Sequence, residues 1–203
     1  MEKFESITIE KNEKYLRQIS KKVEFDDPEI HNNIVVLQNF CIENEVMAMA
    51  AVQLGIPKRI IYLKNTNLEI VNKRQTAQGK EETKDYNEAK VLINPEIIHK
   101  EGTTTYWEAC ASCSWYEGET KKWYAGKVRR PYKIKVKYFD VKGKQHEEEF
   151  EGFASTVLCH EIDHLDGILH IDIADEVIVS TREERLELRK NDGYTIIRRN
   201  DEN

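Results

Sequence analysis

The sequence lacks any apolar run near the ~18 residues that a membrane-spanning helix requires, so no helical span is expected. Its opening, Met1-Glu-Lys-Phe-Glu-Ser, carries no apolar core of a secretory signal, and a soluble, cytoplasmic protein with no membrane partner is expected. Cysteine is scarce. Cys41, Cys110, Cys113 and Cys159 could close two disulfides, but a chain of 203 residues buries enough core to do without them, and free thiols are expected. There is no basic block with interleaved aromatics. Lys and Glu are interspersed, the net charge is -6, and nucleic acid is not an expected partner. No repeat or second domain is evident, so residues 1–203 read as one catalytic domain.

What is present is a stretch with the spacing of a metal site. In Cys159-His-Glu-Ile-Asp-His-Leu165, a helix places His160 and His164 one turn apart on a shared face, with Glu161 beside the first. Two imidazoles can converge on one divalent ion, and the adjacent carboxylate can reach a water held there, which predicts hydrolysis. A third ligand must come from elsewhere. Downstream there are Glu176, Glu183, Glu184 and Glu187 but no His after His170, and a Glu ligand would suit a metallopeptidase. Upstream, Cys110 lies among small residues in an extended segment, and a thiolate is a strong ligand for iron or zinc, so Cys110 is the favoured third ligand. Cys110 and Cys113 with both His could instead close a four-ligand structural zinc site, making a stapled, non-catalytic binding module. His31, His99, His146 and His170 read as ordinary residues, Cys41 and Cys159 as core. Asp163 reads as a support of the site, with Arg130 as its partner.

The periodicities place these residues in an α+β fold, with small antiparallel or mixed β-sheets packed around a central metal-binding α-helix and an N-terminal helix. Asp27 and Pro28 suit the start of a helix running to about Glu45, with Ile30, Ile34, Leu37 and Cys41 on the face that packs on a sheet. Arg59 to Leu63 reads as a buried strand. Residues 64–90 have no apolar period and read as a surface loop. Val91 to Ile98 is a strand broken or edged by Pro95, and Thr103 to Trp107 another that ends at Cys110. Pro131 to Tyr138 alternates Lys with Ile, Val and Tyr, and Gln145 to Phe150 returns as its hairpin partner. Gly152 precedes the metal-site helix and Gly167 follows as its left-handed cap. Thr181 to Arg189 has a helical charge pattern, and 190–203 is a polar tail.

Three segments in order, Val46-Met-Ala-Met-Ala-Ala-Val-Gln53, Glu108-Ala-Cys-Ala-Ser112 and His160-Glu-Ile-Asp-His164, resemble the motifs of the peptide deformylases. The likeness spans roughly Leu16 to Asp172. Val46, Ala48 and Ala109 stand where that family has glycine, and Ala111 where it has leucine; the stretch from Cys113 to Val128 is longer and more aromatic than the pattern and is expected to reshape the pocket rim. The resemblance implies removal of the N-formyl group from the initiator methionine of nascent polypeptides, with release of formate. It implies a divalent ion, typically Fe(II) with Zn, Ni and Co as alternatives, on Cys110, His160 and His164. Glu161 would be the proton carrier, Gln53 and the Ala111 N–H the oxyanion donors, and Met47 and Ala48 substrate contacts. The implied partners are the formylated nascent peptide and the ribosome. A deformylase-like hydrolase with a different N-acyl or formyl-peptide preference is the alternative suggested by the changed motifs.

Overall fold

The computed structural model of the chain describes residues 5–64, 89–192 and 195–197. Short helix α1 (Ile9–Leu16) and longer α2 (Ile30–Glu43) precede β1 (Ala48–Ala50), a 3-10 turn (Ala51–Leu54) and β2 (Ile60–Lys64). The strands β3 (Ala89–Glu101), β4 (Thr103–Glu117), β5 (Thr120–Arg130), β6 (Lys133–Phe139) and β7 (Gln145–Glu151) lead to the helix α3 (Phe153–Leu165). A second 3-10 turn (His170–Asp172), β8 (Ala174–Ser180), α4 (Arg182–Asp192) and β9 (Thr195–Ile197) complete the chain. The strands form two antiparallel sheets, ordered β1-β2-β3-β6-β7 and β8-β5-β4-β9. Among the described residues no helix is long and apolar enough to cross a membrane.

Around β2 the first sheet is buried on both faces, which explains the unbroken apolar run of that strand. Successive side chains point to opposite faces of a strand. Ile61 and Leu63 therefore join Leu92, Ile134 and the α3 residues Leu158, Ile162 and Leu165 in one core. Ile60 and Tyr62 join Ile93 and the α2 residues Ile34, Leu37 and Cys41 in another. Helix α3 thus lies against one face of this sheet and α2 against the other. On the β6–β7 hairpin Ile134, Val136, Tyr138 and Phe150 turn inward, while Lys133–Glu149 and Lys135–Glu147 pair at 2.7 Å on the outer face.

Several boundaries differ from the sequence expectation. Helix α2 starts two residues late, because the Asp27 carboxylate accepts from Glu29 N (3.0 Å) and pairs with Lys58 (2.6 Å), holding Pro28 in a turn. Pro95 does not break β3; it sits at a register shift between Ile93 and Glu96, where pairing with β2 has ended, so its missing N–H costs no ladder bond there. Most of the 64–90 stretch lies outside the described residues, but Lys64 ends β2, and Ala89 and Lys90 open β3. The tail expected at 190–203 includes the end of α4 and a strand, β9, paired with Thr103–Thr105 of β4. Helix α1 has no counterpart in the sequence reading, since it is short, mostly polar and kinked at Asn12.

The end of α3 fits the sequence expectation. Ile168 N donates to Asp163 O (2.9 Å) and Gly167 N to His164 O (3.2 Å), with Gly167 at a φ of +75°. A Cβ on Gly167 would run into the Arg17 carbonyl, in the segment where Ser20 N donates to Leu165 O at 2.8 Å. Gly118, at the β4–β5 turn, also has positive φ (+61°) but open space around it. Gly167→Ala is therefore expected to lower stability by roughly 3 kcal/mol, from a left-handed Cβ and a backbone collision together. Gly118→Ala is expected to cost about 1 kcal/mol, from conformation alone. Urea unfolding of the two variants measures the difference.

Candidate metal centre

Helix α3 and a distortion in β4 bring the predicted ligands together. His160 and His164 share one helical face, with ring centroids 4.9 Å apart. Strand β4 pairs with β5 from Thr104 to Ala109 and again from Ser114 to Glu117, and between them Cys110–Cys113 stand opposite Tyr124 alone. Such a bulge frees residues from the ladder and re-aims their side chains. Cys110 consequently lies within a long strand rather than at a strand end, with its Sγ 3.1 Å from His164 Nε2. The ligand atoms of Cys110, His160 and His164 all lie within 4.8 Å of one another.

The competing ligand sets do not assemble. Cys113 packs with Leu16 and Leu169 behind Cys110, and burial raises its thiol pKa, so the closed Cys2His2 arrangement is absent among the described residues. Glu176 on β8 and Glu183, Glu184 and Glu187 on α4 are exposed and outside the cluster. Cys41 and Cys159 are buried thiols pushed up to about 12 and about 11, first of all by burial, and no disulfide forms. His170 is buried with Nε2 on the Tyr124 carbonyl (3.0 Å), and burial followed by the nearby His160 lowers it to about 4.

A buried ionic network orients the site. Glu108 accepts from His160 Nδ1 at 2.8 Å, which leaves Nε2 for the ligand position. Arg130 grips Glu108 through Nε (2.8 Å) and Nη2 (2.9 Å), and its Nη1 pairs with Asp163. Burial alone would raise the Glu108 carboxyl, but Arg130 and then His160 outweigh it and hold it at about 2. The Arg130–Asp163 partnership expected from the sequence is present. The role of Glu108 was missed, although a charge between Trp107 and Ala109 in a buried strand was a signal for it.

Cys110, Gln53 and Glu161 complete the chemistry. Burial opposes ionisation of Cys110, yet His164 and His160 outweigh it and hold the thiol well below its usual range. Gln53 Oε1 accepts from Ala50 N (3.0 Å), while its amide donates to Cys110 Sγ (3.3 Å) and Ser112 Oγ (3.1 Å). Glu161 is buried, and its Oε2 has no hydrogen-bond partner among the described residues. Burial raises its carboxyl pKa against the pull of His160 and His164, toward the range useful for proton transfer at neutral pH. A thiolate, two imidazoles and a neighbouring carboxylate with one free oxygen fit a divalent ion of the iron or zinc type.

The site opens into a cleft of about 290 Å3. One wall is Val46, Met47, Ala48, Met49 and Gln53; the other includes Glu108, Ala109, Cys110 and Ala111; Phe153, Thr156, Val157, His160 and Glu161 form its floor. Every predicted site residue except the deeply buried His164 therefore lines it. The stretch from Cys113 to Val128 does not: it forms the outer part of the β4–β5 hairpin, and Arg185 and Arg189 of α4 line the cleft instead. These arginines were not singled out from sequence; their spacing of four on a charged helix was the available sign. Neither Val46, Ala48, Ala109 nor Ala111 has positive φ, so the backbone does not demand glycine at any of them, and the effect of their Cβ atoms is on cleft space.

Comparison with known proteins gives one answer. A family model described as polypeptide deformylase matches residues 6–178. The chain is 34% identical to the peptide deformylase of Nautilia profundicola, over 81% of this chain and 83% of that one. It is 32% identical to that of Bradyrhizobium diazoefficiens, over 79% and 82%. A crystal structure of a probable peptide deformylase from synechococcus phage S-SSM7 superposes with a TM-score of 0.61 at 32% identity, covering 84% of this chain and 99% of that one.

The geometry predicts an order of effects on ion retention. Glu108→Gln, which weakens the hold on His160, is expected to loosen a bound divalent ion about 10- to 100-fold. Cys110→Ser, which removes a ligand, should loosen it further. Competition with a chelator at fixed pH measures both, with circular dichroism to confirm folding.

Proposed function

Because the chain belongs to the polypeptide deformylase family, we propose that it removes the N-formyl group from the amino-terminal methionine of new polypeptides by the residues of this cleft. The observation that carries the residue assignment is the Cys110, His160 and His164 cluster with the buried Glu161 carboxylate beside it, whose Oε2 has no hydrogen-bond partner among the described residues. In this reading the three ligands hold Fe(II), with Zn, Ni and Co suited to the same donors. Held by these three residues, such an ion would supply Lewis acidity and would bring the acidity of a water toward neutral pH.

Glu161 takes the proton as the water oxygen bonds to the formyl carbon. It then delivers that proton to the amide nitrogen as the carbon–nitrogen bond breaks, leaving formic acid and a free amine, and the second proton of the water passes from the acid to the amine so that formate and an ammonium group depart. Glu161 is thereby returned to its starting state. The N–H of Ala111, in the segment that has left the β4–β5 ladder, and the amide of Gln53 stabilise the negative oxygen. Gln53 exchanges one of its bonds to Cys110 or Ser112 for this task. The substrate adds as a short strand along residues 46–48, since β1 is an edge of its sheet, and Met47 lines the pocket for the first side chain. We place the reaction in the cytoplasm, on chains leaving the ribosome.

A second reading, a deformylase with a different formyl-peptide preference, is favoured by Val46, Ala48, Ala109 and Ala111, whose side chains occupy the cleft walls. One experiment separates the two. Protein loaded anaerobically with Fe(II) is expected to release formate from N-formyl-Met-Ala-Ser, and Glu161→Gln at matched metal content to lose about 100- to 10,000-fold of that rate. No release from fully metallated wild type, with release from other formyl peptides, would establish the second reading. Equal rates in wild type and variant would remove Glu161 from the mechanism.

A further inference from the structure

Arg185 and Arg189 take no part in the chemistry above, yet both line the cleft. They stand one turn apart on α4, so one helical face presents both. Arg189 is held in place, with Nε donating to the Trp107 carbonyl at 2.8 Å and the guanidinium 4.6 Å from the centre of the Tyr106 ring. Arg185 lies 4.8 Å over the Trp123 ring. Stacking fixes its plane but uses none of its N–H groups, and its Nε and Nη1 are buried without a hydrogen-bond partner among the described residues.

Among the described residues no carboxylate pairs with this cation. Burial, then the neighbouring Arg189 and Arg182, weaken proton binding by Arg185 to about 10; Tyr106 and the exposed Glu183 act in the other direction. Glu108, whose field reaches Arg189, is already committed to Arg130 and His160. Buried N–H donors on a charged group are costly unless an acceptor meets them, and a planar guanidinium fork matches a carboxylate.

The cleft also sets how far such a group lies from the reaction. Tyr106, beneath Arg189, packs edge-on against Phe153 at 5.3 Å. Phe153 begins α3 and His160 lies two turns on, about 10 Å along the axis. Tyr106 precedes Cys110 on β4 by about 13 Å of extended chain. An extended backbone covers that distance in about three to four residues, and the reach of an acidic side chain or a terminal carboxylate shortens this by about one.

We infer that Arg185, with Arg189 beside it, forms a carboxylate-binding subsite at the α4 end of the cleft, which selects formylated peptides carrying an acidic group two or three residues into the chain. The inference rests on the deformylase reading for its substrate class. The carboxylate has two sources: an Asp or Glu side chain, or the terminal carboxylate of a short peptide.

The test compares kcat/KM of the Fe(II)-loaded enzyme on matched pairs. These are N-formyl-Met-Asp-Ser-amide against its Asn analogue, N-formyl-Met-Ala-Asp-amide against its Asn analogue, and N-formyl-Met-Ala-Ser as acid and as amide. A preference of about tenfold or more is expected for the carboxylate member of at least one pair, expressed in KM and shrinking at high salt. The side-chain pairs and the terminal pair distinguish the sources. In Arg185→Gln the ratio is expected to fall to about one, and in Arg185→Lys to lie between. The ratio within each protein does not depend on the fraction folded. Ratios near one in wild type, or a preference that survives Arg185→Gln, overturn the inference. If no peptide releases formate, the deformylase reading fails; calorimetric titration with the unformylated Asp and Asn peptides then applies the same criterion to binding.

Discussion

The pairing of Glu108 with Arg130 is the constraint on which the rest of the site depends. It joins β4 to β5 and, through His160 and Asp163, ties both strands to α3. Both partners are about 95% buried, and a lone charge at either position would cost several kcal/mol. The two-pronged guanidinium, the imidazole N–H and Asp163 together satisfy the network, so none of its members can move without stranding another. Its value is positional. A buried ion pair is weak evidence for stability, but this one sets the ring orientation of His160 and the distance between the strand that carries Cys110 and the helix that carries both histidines.

The same logic explains why Cys110 leaves its ladder. A regular β4 would keep alternating faces past Ala109 and carry its side chains along the sheet. The bulge opposite Tyr124 lets Cys110 turn toward α3 while Ser112 receives the Gln53 amide and Cys113 packs behind. Gln53 is anchored in turn by Ala50 N and by Ile7 N, which donates to its carbonyl at 2.7 Å. Both sheets therefore reach the site, and the segment before α1 is hydrogen-bonded to the turn that carries Gln53.

The legible features were those with a short-range physical signature. The i, i+4 histidines, the flat apolar run of β2, the Lys alternation of β6 and the Gly167 cap all follow from local geometry, and each lies where it was expected. The position of Cys110 inside a strand was not legible, because a bulge is set by what packs against both faces. Glu108 announced itself only as a charge in an apolar strand; its two partners, Arg130 and His160, come from β5 and α3, distant in sequence. The aromatic stretch after Cys113 was misjudged for a related reason. Trp115 and Tyr124 pack on each other at 4.6 Å, and Trp123 faces Arg185, so the rings support the second sheet and α4 instead of the cleft rim.

Reaction centre and cleft wall are built differently, and this bears on how a member of the family can diverge. Cys110, His160, His164, Glu161 and Gln53 stand on a helix, a bulge and a 3-10 turn that are hydrogen-bonded to one another. The wall residues 46–48, 109 and 111 and the arginines of α4 line the cleft around that frame. None of the four substituted motif positions has a backbone conformation that glycine alone could adopt, so side chains there narrow the cleft without straining the frame. Two cations delivered by α4 change its charge in the same independent way. Altered motifs are therefore compatible with an intact cluster of Cys110, His160 and His164, while the cleft walls around it differ.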